Sequence, residues 1–238
     1  MATGGLQVIP LNGVPEVTPG MVLAPLLVAA AAGQETPLAG GDCLVVTQKI
    51  VSKAEGRLVP LDPTDPDARR RLVESESVRV LRRRGDLIIS ETVHGLVCAN
   101  AGVDLSNVDD GWAALLPVDS DRSARRIRDG VRRAADVEVA VVISDTFGRP
   151  WRYGLVDVAI GVAGLAGVVD LRGTPDDRGQ PLQVTEVAVA DEVASAAELV
   201  MGKARGVPAA IVRGLDPAWL RDGSAKELIR PSAQDLFR

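Results

Sequence analysis

The chain of 238 residues is long enough to bury a substantial core, and 46% apolar residues beside 25% charged residues are typical of a globular domain. A net charge of −5, with acids and bases interspersed, provides no basic field for a nucleic-acid backbone, so we expect no nucleic-acid partner. The two cysteines lie far apart without a metal-ligand spacing, which argues against a disulfide framework or a zinc site and favours the cytoplasm. The apolar run MVLAPLLVAAAA is too short to span a bilayer, so we expect no membrane partner.

The first half of the chain alternates predicted strands and helices. The opening LQVIPLNG predicts a strand that runs into a loop, and a helix is expected across residues 21–33. The run DCLVVTQKIV has the continuous apolar character of a strand buried on both faces. Residues 62–84 begin with Pro and Asp and continue with helically spaced apolar residues, which predicts a surface helix. The stretch DLIISETVHGLVCANAGVD predicts two short strands with glycines at the turns.

The second half continues the alternation. The segment LLPVDSDRSARRIRDGVRRAA predicts a strand end and a capped, basic helix, and VEVAVVI predicts a buried strand. Glycine and alanine in GLVDVAIGVAGLAGVVDL permit close helix packing or backbone turns. The stretch QVTEVAVADEVASAAELVMG predicts a strand or loop that feeds a helix, and AAIVRG predicts a last strand. The pattern predicts an α/β or mixed α+β architecture in a single domain over residues 1–238, with room for two subdomains.

The stretch SDTFGRPWRYGLVD follows the apolar run VEVAVVI and concentrates polar chemistry. Asp145 and Thr146 offer the hard oxygen ligands that suit Mg²⁺ or Mn²⁺, at the point where the strand is expected to end. Arg149 and Arg152 follow with the spacing of an anion clamp, because guanidinium groups match phosphate and carboxylate. Alternatively, Asp145 caps a helix and the arginines pair with surface acids. The stretch alone leaves both readings open.

Two further segments add candidate ligands. In NAGVDLSN, Asp104, Ser106 and Asn107 offer a second carboxylate for a metal site, or an ordinary turn in which these side chains bond their own backbone. In TQKIVSKAEGR, Lys49 and Lys53 would meet phosphates at a strand end or remain solvated. The sequence GxxxxGK[ST] is absent, so a bound nucleotide would be held without a Walker A loop.

Together and in order, these segments resemble the coenzyme F420:L-glutamate ligases, also called F420-0:gamma-glutamyl ligases. The matching motifs cover nearly the whole chain and are IPLNGVPEVTPG, VVTQKIVSKAEGR, HGLVCANAGVDLSN, ISDTFGRPWRYGLVD, VTEVAVADE, MGK and VRG. The resemblance implies that GTP phosphorylates the terminal carboxylate of coenzyme F420-0 and that L-glutamate attacks the acyl phosphate through its amine. An amide, GDP and phosphate result, and repetition adds gamma-linked glutamates. The chain resembles the stand-alone form, without a C-terminal flavin-binding domain.

The resemblance also implies a fold and a set of site residues. The expected fold is an unusual α/β arrangement that forms an intertwined homodimer with nucleotide sites near the subunit interface. Asp104 and Asp145 would hold one Mg²⁺ or Mn²⁺ ion, Thr146 would belong to a second, and K⁺ is a further family expectation. Asp145, Arg149 and Arg152 are the candidate catalytic residues, with the arginines as partners for phosphate or the acidic substrates. The guanine nucleotide would be held by Ile9, Pro10, Leu11, Asn12, Gln48, Lys53, Asn107, Met201, Gly202 and Lys203.

One position departs from the family pattern, and two other functions stay open. Archaeal members carry an acidic residue where this chain has Lys203, so the second metal site is an open question; replacement of that ion's charge by Lys203 is a hypothesis. A metal-dependent phosphohydrolase would use the same Asp and Thr ligands but transfer phosphate to water. A non-catalytic module for a deazaflavin or nucleotide would use the acidic corner only as structure. Nucleotide turnover that requires glutamate separates the ligase from both.

Overall fold

The computed structural model describes residues 5–236, which fold into five α-helices, twelve β-strands and four short 3-10 helices. The helices are α1 (Leu23–Gly33), α2 (Gln48–Ala54), α3 (Ala68–Ser75), α4 (Ser120–Ala135) and α5 (Val189–Met201). The strands are β1 (Gln7–Pro10), β2 (Cys43–Thr47), β3 (Leu58–Pro60), β4 (Ser77–Arg84), β5 (Leu87–Thr92), β6 (Val97–Ala99), β7 (Trp112–Ala114), β8 (Ala140–Arg149), β9 (Arg152–Ala163), β10 (Val169–Asp170), β11 (Glu186–Val187) and β12 (Ala209–Arg213). The 3-10 helices are Asn100–Gly102, Pro217–Trp219, Ala225–Leu228 and Ser232–Gln234.

A five-stranded sheet in the order β1-β12-β2-β8-β9 forms the centre of the molecule. Strands β2 and β8 run parallel, with Cys43 opposite Ala140 and Thr47 opposite Ser144, whereas the other neighbours are antiparallel. Because β2 and β8 are parallel, both leave the apolar part of the sheet at the same edge. The chain segments that follow them therefore meet there.

The two faces of this sheet are covered by different helices. Side chains alternate along a strand, so Leu44 and Val46 pack with α1 and α4, while Cys43 and Val45 pack with α5. Both sets are fully buried, which explains why β2 reads as a continuous apolar run rather than an alternating one. A layer of helices on each face of the sheet confirms the predicted α/β class.

Three smaller sheets complete the fold. They pair β3 with β7, β10 with β11, and β4 with β5 and β6, and the chain forms the first and last of these between β2 and β8. The segment between β2 and β8 has a separate small apolar cluster of its own, which includes Val73 of α3 and Ile88 of β5. The single domain predicted over residues 1–238 stays a prediction, because the structure describes only residues 5–236. Within residues 5–236, no helix is both long enough and apolar enough to cross a membrane.

Two element predictions were wrong in part. The predicted surface helix over residues 62–84 is reduced to α3, which ends at Ser75, and residues 77–84 form β4 because β5 offers a strand edge to pair with. Similarly, the predicted strand DCLVVTQKIV ends at Thr47, and α2 begins with Gln48. For β4, pairing within the folded molecule overrides the local helical pattern.

The polar stretch at residues 144–157 also differs from expectation. Asp145 does not end a strand, because β8 continues through it to Arg149 and turns back as β9. Asp145 faces Val158 and Thr146 faces Asp157 across this hairpin. The glycine-rich stretch that follows completes β9 at Ala163 and then bends at Gly164, where φ is 75°, before β10. Gly161 lies against the first residue of α4, since a Cβ there would come within 2.5 Å of the carbonyl oxygen of Ser120. The stretch therefore provides both the close helix packing and the turn that its composition indicated.

Candidate active site

A cleft of about 880 Å³ opens at the edge of the central sheet where β2 and β8 leave its apolar core. Its walls come from the loop after β1, the start of α2, the segment around the first 3-10 helix, the β8–β9 hairpin and the loop after α5. Five segments that are distant in sequence therefore converge on one space. A second cavity, of about 620 Å³, lies between α5 and β12 and has a mainly apolar lining with Glu192 and Asp216 as its acids. We locate the chemistry in the first cleft because charged groups of both signs meet there.

An acidic corner, which we define as Asp104, Asp145 and Thr146, occupies one wall of the cleft. Asp145 and Thr146 are consecutive residues of β8, and Asp104 is joined to Ala114 by two backbone hydrogen bonds of 2.9 and 2.8 Å. Burial raises the pKa of Asp145 to about 7, and the charges of Asp104 and Asp157 act in the same direction. The corner thus concentrates negative charge that a cation would neutralise.

Lys49 supplies part of that neutralisation. Its ammonium lies 2.8 Å from a carboxylate oxygen of Asp104 and donates to the hydroxyl of Ser106 at 2.8 Å. Partial burial raises the pKa of Asp104, but the hydrogen bond and charge of Lys49 and the backbone amide of Ser106 outweigh it, so the net shift is downward. Asp104 therefore stays ionised at neutral pH.

Asp157, which the sequence motifs did not single out, lies at the base of the corner with 1% of its surface exposed. Its carboxylate accepts hydrogen bonds from Ser144 at 3.0 Å and from Thr146, its cross-strand partner, at 2.7 Å. Ser195 of α5 donates to its backbone carbonyl at 2.7 Å. Asp157 is consequently a fixed anion that orients the Thr146 hydroxyl.

Lys203, from the loop after α5, completes this wall. Its ammonium lies 2.8 Å from Asp157 and 3.2 Å from Glu198, and it also contacts the hydroxyl of Thr146. Partial burial lowers the pKa of Lys203, but its hydrogen bonds and charge interactions with Asp157 and Glu198 outweigh this and raise it. Lys203 is therefore a permanent cation of the cleft.

The donor set fits a divalent ion that is shared with a ligand. Among residues 5–236, no three His, Cys, Asp or Glu side chains converge to hold an ion by themselves. Asp104 and Asp145 face the same cleft, and two carboxylates completed by water and substrate phosphates are the usual protein environment of Mg²⁺. The negative charges that raise the pKa of Asp145 are what such an ion would offset.

The predicted nucleotide-binding residues divide into two groups. Gln48, Lys53, Asn107, Gly202 and Lys203 line the cleft. The predicted residues of the first loop do not line it: Leu11 is fully buried in the core, and Asn12 donates through its backbone amide to Gln34 at 2.9 Å.

The remaining members of the predicted nucleotide set lie outside the cleft wall. Ile9 and Pro10 belong to β1 and pair with β12, and Met201 is buried under the central sheet. The cleft is instead bordered by the next residues of the first loop, where Glu16 forms an ion pair with Lys53.

Arg149 and Arg152 lie at the end of the β8–β9 hairpin, beyond the cleft wall. The Arg149 guanidinium donates to the backbone carbonyl of Tyr153, and Arg152 is exposed. Around them, Trp151 is 86% exposed and Tyr153 is completely exposed. Within one chain, the structure does not bring the two arginines together with Asp104 and Asp145.

The sequence analysis did not identify two candidate functional residues, although the sequence around one of them offered a clue. Asp157 is a single acid within the apolar β9, and an acid inside a buried strand requires partners. Glu198 is one of several acids on α5 and gave no such signal, because only the loop after α5 brings Lys203 beside it.

Comparison with known proteins places the chain among relatives of one kind. The sequence profile of F420-0:gamma-glutamyl ligase matches residues 13–214. The chain is 47% identical to the coenzyme F420:L-glutamate ligase of Methanothermobacter thermautotrophicus, with 98% of this chain and 99% of the relative covered. It is 44% identical to the enzyme of that name from Methanopyrus kandleri, with 99% and 100% covered, and 38% identical to that from Methanocaldococcus jannaschii, with 85% and 86% covered.

Proposed function

The chain belongs to the F420-0:gamma-glutamyl ligase family and is a ligase, and we propose that it uses GTP to join L-glutamate to coenzyme F420-0, and then further gamma-linked glutamates, through an acyl phosphate. The observation that carries the proposal is the convergence of two carboxylates, Asp104 and Asp145, with three lysines on one cleft. The lysines are Lys49, Lys53 and Lys203. Family membership confirms the resemblance found in the sequence, whereas the nucleotide and the intermediate are part of the proposal.

The charge distribution supports a triphosphate and an acidic substrate in the same space. Two anions repel each other, and phosphoryl transfer requires the carboxylate oxygen of coenzyme F420-0 to approach the terminal phosphorus of GTP. The lysine ammonium groups, two from α2 and one from the loop after α5, would offset this repulsion. A volume of about 880 Å³ accommodates reacting groups of this kind.

In the first step, a carboxylate oxygen of coenzyme F420-0 forms a bond to the terminal phosphorus of GTP. The bond from that phosphorus to the bridging oxygen breaks, and GDP leaves. In the second step, the neutral amine of L-glutamate attacks the acyl carbon, phosphate leaves with the former carboxylate oxygen, and the nitrogen loses a proton as the amide forms. No covalent enzyme intermediate is needed, so positioned charges are the main contribution of the protein.

The residues of the acidic corner have separate roles in this proposal. Asp104 and Asp145 would hold a Mg²⁺ or Mn²⁺ ion, which neutralises phosphate charge when bound. Lys49 fixes the carboxylate of Asp104, with a separation of 2.8 Å, and Asp157 orients Thr146. The family resemblance adds K⁺ as a proposed requirement. A cytoplasmic location is proposed because Cys43 and Cys98 are both buried and unpaired.

We also propose a homodimer, in which the β8–β9 hairpin contacts a second copy of the chain. Trp151, Tyr153 and Leu155 are 86%, 100% and 67% exposed, and a cluster of large apolar side chains on a protruding hairpin is typical of an interface. In a dimer, Arg149 and Arg152 would reach the acidic substrates from the partner's side. We expect Tyr153→Ser to shift the mass measured by light scattering towards the monomer, with the exposed Val184→Ser as control. An unchanged dimer in Tyr153→Ser, or a wild-type monomer, would contradict the dimer proposal.

Product analysis tests the proposed reaction. Purified protein, Mn²⁺ and coenzyme F420-0 are incubated with GTP or ATP, with and without L-glutamate, while GDP release and the product mass are followed. We expect GDP release and a mass gain of one or more glutamyl units, both dependent on L-glutamate and GTP. Nucleotide hydrolysis that is indifferent to glutamate would favour a phosphohydrolase, and tight binding without turnover would favour a binding module.

A further inference from the structure

Lys203, whose side chain is 55% exposed, places its ammonium against oxygen atoms from three different elements, which we call the Lys203 cage and define as Asp157, Glu198 and Thr146. Asp157 of β9 lies 2.8 Å from the ammonium, Glu198 of α5 lies 3.2 Å away, and the Thr146 hydroxyl of β8 is in contact. Two carboxylates and a hydroxyl are hard oxygen donors, the ligand type that Mg²⁺ and Mn²⁺ prefer. The oxygen atoms of the cage would suit a divalent ion, but in this chain they surround the ammonium group of Lys203.

The cage is rigid enough to require a cation. Asp157 is 1% exposed and is fixed by Ser144 at 3.0 Å and by Thr146 at 2.7 Å, so the carboxylate cannot turn to solvent. A buried carboxylate without a countercharge is strongly destabilising. Lys203 meets this need from the loop after α5, whereas Arg205 of the same loop does not line the cleft.

We propose that the Lys203 ammonium takes the place of a second divalent ion, so that this enzyme works with a single divalent ion, held at Asp104 and Asp145. The inference rests on the proposed function, because it assigns Lys203 the task of meeting the nucleotide phosphates beside that ion. A cation that is attached to the chain is present at high effective concentration, so a free ion does not displace it. It also carries one positive charge where an ion would carry two, which leaves the cage less positive.

Counting bound Mn²⁺ tests the proposal without relying on turnover. Equilibrium dialysis, with and without GDP, is applied to the wild type, to Lys203→Ala and to Arg205→Ala, which removes the same charge from the same loop outside the cage. With GDP present, which completes the ion's ligands, we expect one ion per chain in the wild type and in Arg205→Ala, and two in Lys203→Ala. With GDP present, two ions or none in the wild type would overturn the proposal, as would one ion in Lys203→Ala.

Thermal unfolding provides a second readout. In chelator, Lys203→Ala should unfold at a lower temperature than the wild type because Asp157 loses its countercharge, and Mn²⁺ should restore more of the Tm of this variant than of Arg205→Ala. Equal Mn²⁺-dependent shifts in both variants would contradict the proposal. Should Lys203→Ala not fold, Lys203→Gln, which leaves a neutral polar side chain at the cage, is measured in the same way and should also bind two ions.

The same preparations separate this inference from the proposed function. If glutamate is added to coenzyme F420-0 but the wild type holds two ions, the Lys203 proposal fails and the ligase proposal stands. If the wild type holds one ion and Lys203→Ala holds two, but no glutamate is added with GTP, the proposed function fails while the role of Lys203 as a substitute for an ion is supported.

Discussion

The two ends of β2 and β8 carry aspartates in opposite situations. At the amino end, Asp42 is 1% exposed and fully paired: Arg213 donates to both of its oxygens at 2.8 and 2.7 Å, and the amide of Ala39 donates at 2.8 Å. At the other end, burial raises the pKa of Asp145 to about 7, and the charges of Asp104 and Asp157 act in the same direction. A satisfied carboxylate therefore stabilises the fold, while a carboxylate that is desolvated and surrounded by like charges is a candidate functional group.

The largest effect is expected when Asp145 is changed to Asn. The variant keeps the shape of the side chain but loses a metal-binding charge, so turnover with GTP, Mn²⁺ and L-glutamate should fall about 10³-fold, or about 4 kcal/mol. The melting temperature should not fall, because Asp145 stabilises no ion pair in the fold. The control is Asp222→Asn, whose side chain is 95% exposed. A loss of both turnover and Tm would show that Asp145 only ties down its strand.

Asp42→Ala should give the converse result. Removal of the carboxylate leaves the Arg213 guanidinium and the amide of Ala39 without their partner, which should cost about 2–3 kcal/mol of unfolding free energy. Denaturant unfolding measures this loss, and Asp222→Ala is expected to stay within about 0.5 kcal/mol of the wild type. Turnover per folded molecule should be unchanged, because Asp42 lies at the opposite end of the sheet. A loss of turnover in Asp42→Ala as large as that in Asp145→Asn would contradict the assignment of a structural role to Asp42 and a functional role to Asp145.

The smallest effect concerns pH and the stability of the protein in chelator. The pKa of Asp145 is raised from 3.8 to about 7, so the folded state binds this proton more tightly than the unfolded chain does. This tighter proton binding adds to the free energy of unfolding. The contribution is fully present below pH 3.8 and is lost as pH rises through about 7. Asn imitates the neutral carboxyl at every pH. Above this range, Asp145→Asn should therefore melt about 2–4 °C higher than the wild type, a value that allows for screening of a half-buried group.

A matched titration of Tm against pH makes this last prediction decisive. The difference in Tm between Asp145→Asn and the wild type should grow as the pH rises and shrink towards zero at acid pH. Addition of Mn²⁺ should reverse the sign at neutral pH, because the ion stabilises only the wild type through Asp145. A difference of the same size at every pH would contradict the raised pKa.

The sequence locates candidate residues where one short segment concentrates polar side chains. Asp145 and Thr146 directly follow an apolar run, a position that allowed either a metal corner or a helix cap, and the structure places both on the cleft. The segment around Asp104 allowed either a second carboxylate or an ordinary turn. The fold brings Asp104 into the same cleft because a backbone bridge to Ala114 fixes it there.

What sequence reasoning missed depends on long-range packing. Asp157 was missed because its partner Lys203 is 46 residues away, and only the position of α5 on the sheet brings the two together. Leu11 looked like part of a binding loop, yet its apolar side chain is buried in the core. Residues 77–84 have a helical pattern but form the strand β4, because they pair with β5. The partners of Asp157 and Leu11 lie far along the chain, where local periodicity carries no information, whereas β4 pairs with the strand that directly follows it.

The most direct test of the proposed mechanism follows an oxygen atom. Coenzyme F420-0 is prepared with heavy oxygen in its terminal carboxylate and incubated with the enzyme, GTP, Mn²⁺ and L-glutamate, and the released phosphate is analysed by mass. We expect one heavy oxygen in phosphate for each first amide bond formed, because the attacking carboxylate oxygen leaves with the phosphoryl group. Unlabelled phosphate accompanying amide formation would contradict an acyl phosphate and, with it, the mechanism assigned to the cleft.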